Sequence, residues 1–401
     1  MGDRMRFSAP SRAMRAGVFA ELEASIAARR AAGGDIVPLH IGDTHRAPPD
    51  AARIERAIEG ASADALYAYG ATAGMPELRD AIASYVRARG RAHPEATEAH
   101  VLLGVGATHA LSCVARVVLD EGDDVLLASP YWPLAHGIVT HTGARAVEVP
   151  LTGSLYEDDA RDAGEILAAA ATPRTRALYV ISPNNPDGKV LSRRHAEQIA
   201  RFAIERDLWV ISDEVYVDYT YGRDATSLAR LPGMAERTLT AYSFSKSHAL
   251  AGARVGYVVA PAEVVAAARK VSVHTAFNVP VAMQRVAHAA LASGDAWIAE
   301  ARAEYLRARD AAAGALEGSG ARAPLAEGGV YLFVDFADVL GGRPLKALLE
   351  RAVARGVLLA PGESCGAAHA TCARLCYTSV PLPRMLEGVA RLRAAIEDLG
   401  R

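Results

Sequence analysis

At 401 residues the chain is longer than one hydrophobic core usually organises, roughly 250 to 300 residues, so two lobes are expected. With 51% hydrophobic and 22% charged residues it has apolar material for packed interiors, and its formal charge of -2 offers no basic field for nucleic acid or a membrane surface, so the expected ligand is a small molecule. No run approaches the roughly 20 apolar residues of a membrane span or the apolar core of a signal peptide, which makes the cytoplasm the expected compartment; Cys113, Cys365, Cys372 and Cys376 read as free thiols, too few for a disulfide framework.

In chain order, Pro76 opens a helix with Leu78, Ile82, Tyr85 and Val86 on one side, suited to covering a sheet. From about Val101 to Ala260 short apolar runs alternate with amphipathic ones: VLLGVG, a helix from about Thr108 to Leu119, then DVLLASP, RAVEVP, RALYVISP, LWVISDE, TLTAYSFS and ARVGYVVA. Buried strands separated by helices predict an α/β fold with a mostly parallel sheet covered on both faces. Helices follow near 262–270, 279–292 and 295–316, then YLFVDF, a helix near 344–355, VLLAPG, ARLCYTSV and a last helix from about Pro383 to Leu399. This block reads as a smaller α+β domain of residues 1–44 and 291–401, beside a large domain of residues 45–290.

Four segments carry residues suited to chemistry. Ser243-Phe244-Ser245-Lys246, with Arg254 shortly after, places an amine, hydroxyls and a guanidinium behind a buried strand. The amine could condense with a carbonyl and the others could grip a phosphate, although Lys246 taken alone fits a surface lysine in a Ser-rich turn. Strand LWVIS runs into Asp213-Glu214-Val215-Tyr216 at the carboxyl end of a central strand, where open α/β sheets bind ligands. A carboxylate buried there needs a cation such as a protonated pyridine nitrogen, or else serves as a helix N-cap. Ile181 to Gly188 is a strand ending in a tight turn with Asn184 and Asn185; Gly104 to Thr108 ends another strand and opens a helix whose amides could hold phosphate.

Together these pieces resemble the class I/II, aspartate aminotransferase-like family of pyridoxal 5′-phosphate (PLP) enzymes, fold type I. SPNNPDG is similar to the family's NPTG turn, DEVY to its Asp-x-x-Tyr, SFSK with the downstream ARVG to its Schiff-base signature, and YGATAGMPELR to its Tyr-x-x-x-x-Gly-x-x-x-Leu-Arg segment, in order from about Ile41 to Thr378. The resemblance implies a large domain with a mostly parallel seven-stranded sheet. It implies that Lys246 forms the internal aldimine and shuttles the α-proton, that Asp213 pairs with the pyridinium nitrogen, and that Tyr216 and Asn185 bond the ring's phenolic oxygen. Trp132 stacks on the ring; Ala107, Thr108, Ser243, Ser245 and Arg254 hold the phosphate, with Tyr69 arriving from the other subunit of a homodimer. Arg374 forks onto the substrate α-carboxylate, assisted by the Gly42 amide and Asn185.

The implied reaction moves the α-amino group of an L-amino acid to a 2-oxo acid; other PLP reactions on the same scaffold, carbon–sulfur β-elimination, cyclisation or an aminocyclopropane-type synthesis, use the same cofactor residues. A ligand-sensing part of a transcription regulator would need a DNA-binding domain ahead of the core. Asp187 stands where the family commonly has Thr, in a turn that still suits Pro-Asp-Gly, so unchanged chemistry is expected. Cys365, His369, Cys372 and Cys376 fit no common zinc spacing, and no metal is expected. Substrate choice falls to segments 17–19, 44–46 and 273–278, in which His45, Arg46 and His274 could meet a polar side chain; no arginine is evidently dedicated to a dicarboxylate.

Overall fold

The structure, a computed structural model, describes residues 7–14 and 23–399. After a two-residue strand β1 (Val37–Pro38), seven strands form the large sheet: β2 (Val101–Val105), β3 (Asp124–Ala128), β4 (Arg145–Val149), β5 (Thr175–Ile181), β6 (Trp209–Asp213), β7 (Thr238–Ser243) and β8 (Val255–Val259). Their spatial order is β2-β8-β7-β6-β5-β3-β4; β8 runs antiparallel to both neighbours and every other pairing is parallel.

Alternation along the strands feeds two separate cores, because successive side chains point to opposite faces. Val125, Leu127, Ala177, Tyr179 and Ile181 pack beneath the helices Gly106–Val118 and Ala262–Thr275, whereas Leu126, Ala128, Leu178 and Val180 pack beneath Ala163–Ala170 and Arg193–Glu205. The last of these helices is capped by Ser192, whose hydroxyl accepts the His195 amide at 3.2 Å, and it buries Ala196, Ile199 and Ala203 along one stripe.

Two boundaries differ from expectation. The helix expected from Thr108 begins at Gly106, whose φ of +76° lets the chain turn directly out of β2. The helix from Ala262 runs on to Thr275, as no Gly or Pro interrupts it.

Four strands follow: β9 (Tyr331–Asp335), β10 (Val357–Leu358), β11 (Ala360–Pro361) and β12 (Cys372–Cys376). VLLAPG thus splits, β10 pairing parallel with β1 and β11 antiparallel with β12, which in turn pairs antiparallel with β9. A third core gathers Val37 and Leu39 with residues of β9, β12 and the helices Asp295–Leu316, Leu345–Arg355 and Leu382–Leu399, and it also takes in Tyr216, Tyr219 and Tyr221 from the segment after β6. No described helix is long and apolar enough to cross a membrane.

Candidate functional site

Strands β5, β6 and β7 run parallel, so Ile181, Asp213 and Ser243 reach the same carboxyl edge, where a cavity of about 250 Å³ opens. Asp213 ends β6, is 3% exposed, and accepts hydrogen bonds from the Tyr179 hydroxyl at 3.2 Å and the Val215 amide at 3.3 Å. Burial, with a smaller push from the charge of Glu214, raises its carboxyl to about 6, and among the described residues no cation acts on it. A protonated ring nitrogen is the kind of partner this carboxylate lacks.

Beyond β7 the chain enters a short helix, Phe244–Ser247, capped by the Ser243 hydroxyl, which accepts the Ser245 amide at 3.1 Å. Lys246 points into the cavity and its amine donates to the Gly42 carbonyl. Burial lowers its pKa from the ordinary lysine value. Gly42 also lets Tyr331 close in: a Cβ there would sit 1.6 Å from the Tyr331 hydroxyl.

An anion cradle lies at the start of the helix Gly106–Val118. Arg254, in the left-handed region at φ +53°, donates to the Ser245 hydroxyl at 3.4 Å and the Ala251 carbonyl at 2.9 Å. Its guanidinium lies 2.2 Å from where a Gly106 Cβ would stand, and a Cβ on Gly256 would meet the Ala107 amide at 2.3 Å. Both glycines are needed for guanidinium, hydroxyl and helix amides to converge, and Ala107, Thr108, Ser243, Ser245 and Arg254 all line the cavity. The donor set suits a phosphate dianion.

At the opposite lobe Arg374, on β12, donates to the Asn185 side-chain oxygen at 2.9 Å and the His40 carbonyl at 3.0 Å, and stacks over the Tyr331 ring at 4.3 Å. Its buried Nε has no hydrogen-bond partner, and among the described residues no carboxylate pairs with the guanidinium. The adjacent His40 imidazole is held down to about 4 by burial and by this positive charge. Tyr216 and Tyr331 share a hydroxyl–hydroxyl bond of 2.8 Å, and burial holds the Tyr216 phenol well above its usual range, so it remains a donor.

Gly42, Trp132, Asn185, Tyr216 and Arg374 join the cavity walls already described, so twelve of the thirteen expected site residues line one space. Tyr69 does not; it is 87% exposed, with its ring edge-on to Phe277 at 4.9 Å. Of the segments set aside for substrate choice, residues 17–19 lie outside the described residues. His45 and Arg46 turn to Glu304, Arg46 also to Glu300 at 3.3 Å and over Trp297, and His274 is exposed.

Asp187 is enclosed, accepting from the Thr152 hydroxyl at 2.6 Å, the Asn184 amide at 2.8 Å and the Lys189 backbone amide at 3.0 Å, so it stiffens the turn that carries Asn185. His369 meets the Ser129 hydroxyl at 3.0 Å, while Cys365 and Cys372 pack with Phe333. Sequence reasoning missed Tyr179 and Tyr331. Each is an aromatic within an apolar strand, Tyr331 two residues from Phe333, and only sheet register shows which face it takes.

A fold type I large sheet with this set of unpaired charges defines a PLP enzyme. Residues 35–392 match the family described as aminotransferase class I and II. The chain is 35% identical over 350 residues to the arginine–pyruvate transaminase of Pseudomonas aeruginosa, covering 87% of each protein, and 33% identical to a probable aspartate/prephenate aminotransferase of Aquifex aeolicus, covering 92% and 93%. Among solved structures, a single mutant of Thermus thermophilus aspartate aminotransferase superposes with a TM-score of 0.88 at 30% identity, covering 98% of this chain and 100% of that one. The chain belongs to the class I and II aminotransferases and is a PLP-dependent transaminase.

Proposed function

We propose that this transaminase binds its cofactor and an L-α-amino acid through the cavity residues described above, with Lys246 as the group that both holds the cofactor and moves the proton. The observation that carries the reading is the pairing of vacant charges in one cavity: a carboxylate without a cation at Asp213, a guanidinium without a carboxylate at Arg374, and a desolvated amine at Lys246. When bound, PLP supplies an aldehyde that condenses with amines and a ring that accepts electrons from the substrate α-carbon.

The chain's residues then divide the work. Asp213 holds positive charge at the ring nitrogen, and the Tyr216 and Asn185 side chains bond the ring oxygen. Ser243, Ser245, Arg254 and the amides of Ala107 and Thr108 bind the phosphate, and Trp132 stacks on the ring. Arg374 orients the substrate carboxylate with the Gly42 amide. The Lys246 amine, kept neutral more readily by burial, would take the proton from the substrate α-carbon and deliver it to the cofactor carbon that carried the aldehyde.

Arg46, outside the cavity walls, is occupied by Glu300 and Glu304, and among the described residues the cations that line the cavity, Lys246, Arg254 and Arg374, already have a cofactor or α-carboxylate role, which favours substrates whose side chain is not a carboxylate. Tyr69, exposed on its own subunit, reaches the phosphate of a second copy, which makes the working unit a homodimer, in the cytoplasm. The large lobe spans residues 45–290, and residues 1–44 with 291–401 form the small one.

The test is an absorption spectrum of the PLP-loaded protein while single amino acids are added without a 2-oxo acid. Loss of the visible band with one equivalent of the matching 2-oxo acid identifies a substrate. A substrate set led by aspartate and glutamate would overturn the side-chain reading, and a protein that takes up no PLP would overturn the assignment of the cavity.

A further inference from the structure

Resting on the assignment of Lys246 above, we infer that Tyr219 is a positioning residue for that lysine. The helix Phe244–Ser247 is a single turn, and the chain leaves it abruptly: the amides of His248 and Leu250 both return to the Phe244 carbonyl, and Ala249 adopts φ +57°. The carbonyls of Lys246 and Ser247 therefore receive no backbone donor among the described residues. A buried helix end needs such donors from elsewhere. The Tyr219 hydroxyl provides one to both, donating to the Lys246 carbonyl at 3.1 Å and the Ser247 carbonyl at 3.0 Å.

This tyrosine is well fixed to do so. Its side chain is fully buried, its ring packs edge-on against Tyr305 at 5.0 Å, and its own carbonyl accepts the Gly329 amide at 2.8 Å. Burial among tyrosines and beside Asp218 keeps the phenol protonated, so the donor persists across the working pH range. Tyr219 belongs to the core of the C-terminal lobe, yet its hydroxyl ends at the peptide of Lys246 on the large-sheet edge. It touches neither cofactor site nor substrate site. Its effect is to set the peptide plane from which the Lys246 side chain reaches the cavity.

The test compares Tyr219→Phe with Tyr221→Phe, which removes a buried hydroxyl two residues on that donates to the Gly329 carbonyl and lies against the Tyr377 hydroxyl, which serves the same carbonyl, away from Lys246. Two readouts are taken in sucrose, which favours the compact state so that lost stability does not remove the signal. The first is the pH dependence of Lys246 acetylation by acetic anhydride in the cofactor-free protein, read by peptide mass spectrometry; the second is kcat and KM for a turned-over amino acid. Tyr219→Phe should displace the acetylation midpoint and lower kcat by on the order of tenfold with KM nearly unchanged, while Tyr221→Phe keeps both at wild type.

An acetylation profile and kcat unchanged in Tyr219→Phe, or shifted equally in Tyr221→Phe, would overturn the inference. If instead PLP fails to protect Lys246 from acetylation in the wild type, the assignment of Lys246 is what fails.

Discussion

Each charged group at the centre of the cavity lacks the partner that a buried charge requires, and this gives the residues measurable signatures before any turnover. Burial holds the Asp213 carboxyl at about 6, against an ordinary value of 3.8. Between those values the folded, cofactor-free chain keeps a proton that the unfolded chain releases. Stability therefore falls as pH rises from about 4 to 6 and stays lowered above that, by roughly 2 to 3 kcal/mol for a two-unit shift. Asp213→Asn removes the cost, so the cofactor-free variant should outlast cofactor-free wild type in urea at pH 7.5 and lose that advantage near pH 4, while binding PLP more weakly. Equal urea midpoints at pH 7.5 would show that the carboxyl is not held against its charge. Arg374→Ala acts differently. Removing a charge-assisted contact of about 1.5 to 3 kcal/mol should raise the amino-acid KM by roughly ten- to a hundredfold, with PLP affinity unchanged; steady-state kinetics and a PLP titration separate the two.

At the scale of elements, the site depends on strand ends and one helix start brought within contact of each other. Gly106 leaves β2 at φ +76° and also clears space for the Arg254 guanidinium, so Gly106→Ala incurs backbone strain and a clash together. Weaker PLP binding, by about tenfold or more, is expected from loss of one charge-assisted phosphate contact, with the helix content by circular dichroism retained. Wild-type PLP affinity in that variant would remove the cradle from the phosphate. The contiguous motifs at strand ends were legible because burial and turn chemistry act locally: a strand that must stop at an acid, or a Pro-Asp-Gly turn, announces itself. Tyr179, Tyr219 and Tyr331 were not legible. In DEVYVDYTY the Asp-x-x-Tyr spacing marks Tyr216, which lines the cavity, but nothing marks Tyr219 as the one whose hydroxyl meets the Lys246 carbonyl until the segment folds against Gly329.

For the whole molecule, an exposed Tyr69 outside its own cavity predicts complementation between two disabled chains. A Tyr69→Ala chain keeps its lysine and a Lys246→Ala chain keeps its tyrosine; a mixed dimer holds one site with both. After unfolding and refolding together in equal amounts, random pairing should restore about a quarter of wild-type activity, since half the dimers carry one intact site of two. No gain over the separate chains would place Tyr69 outside the neighbouring site. Lobe contacts matter at this scale as well, because Arg374 stands on β12 while its hydrogen-bond partner Asn185 belongs to the turn after β5.

Sequence alone determined the α/β sheet, the order of its elements and the residues at its carboxyl edge, because hydrophobic periodicity and turn preference are properties of neighbours along the chain. It also carried the family likeness through motifs that are each contiguous. Tertiary structure decided which charges remain without partners. Arg46, open to a substrate role in the sequence, is taken up by Glu300 and Glu304 from a helix more than 250 positions away, whereas Arg374 is left with carbonyl oxygens only. Pairing between charges distant in sequence depends on where helices and strands come to rest, and that is settled only when the cores pack.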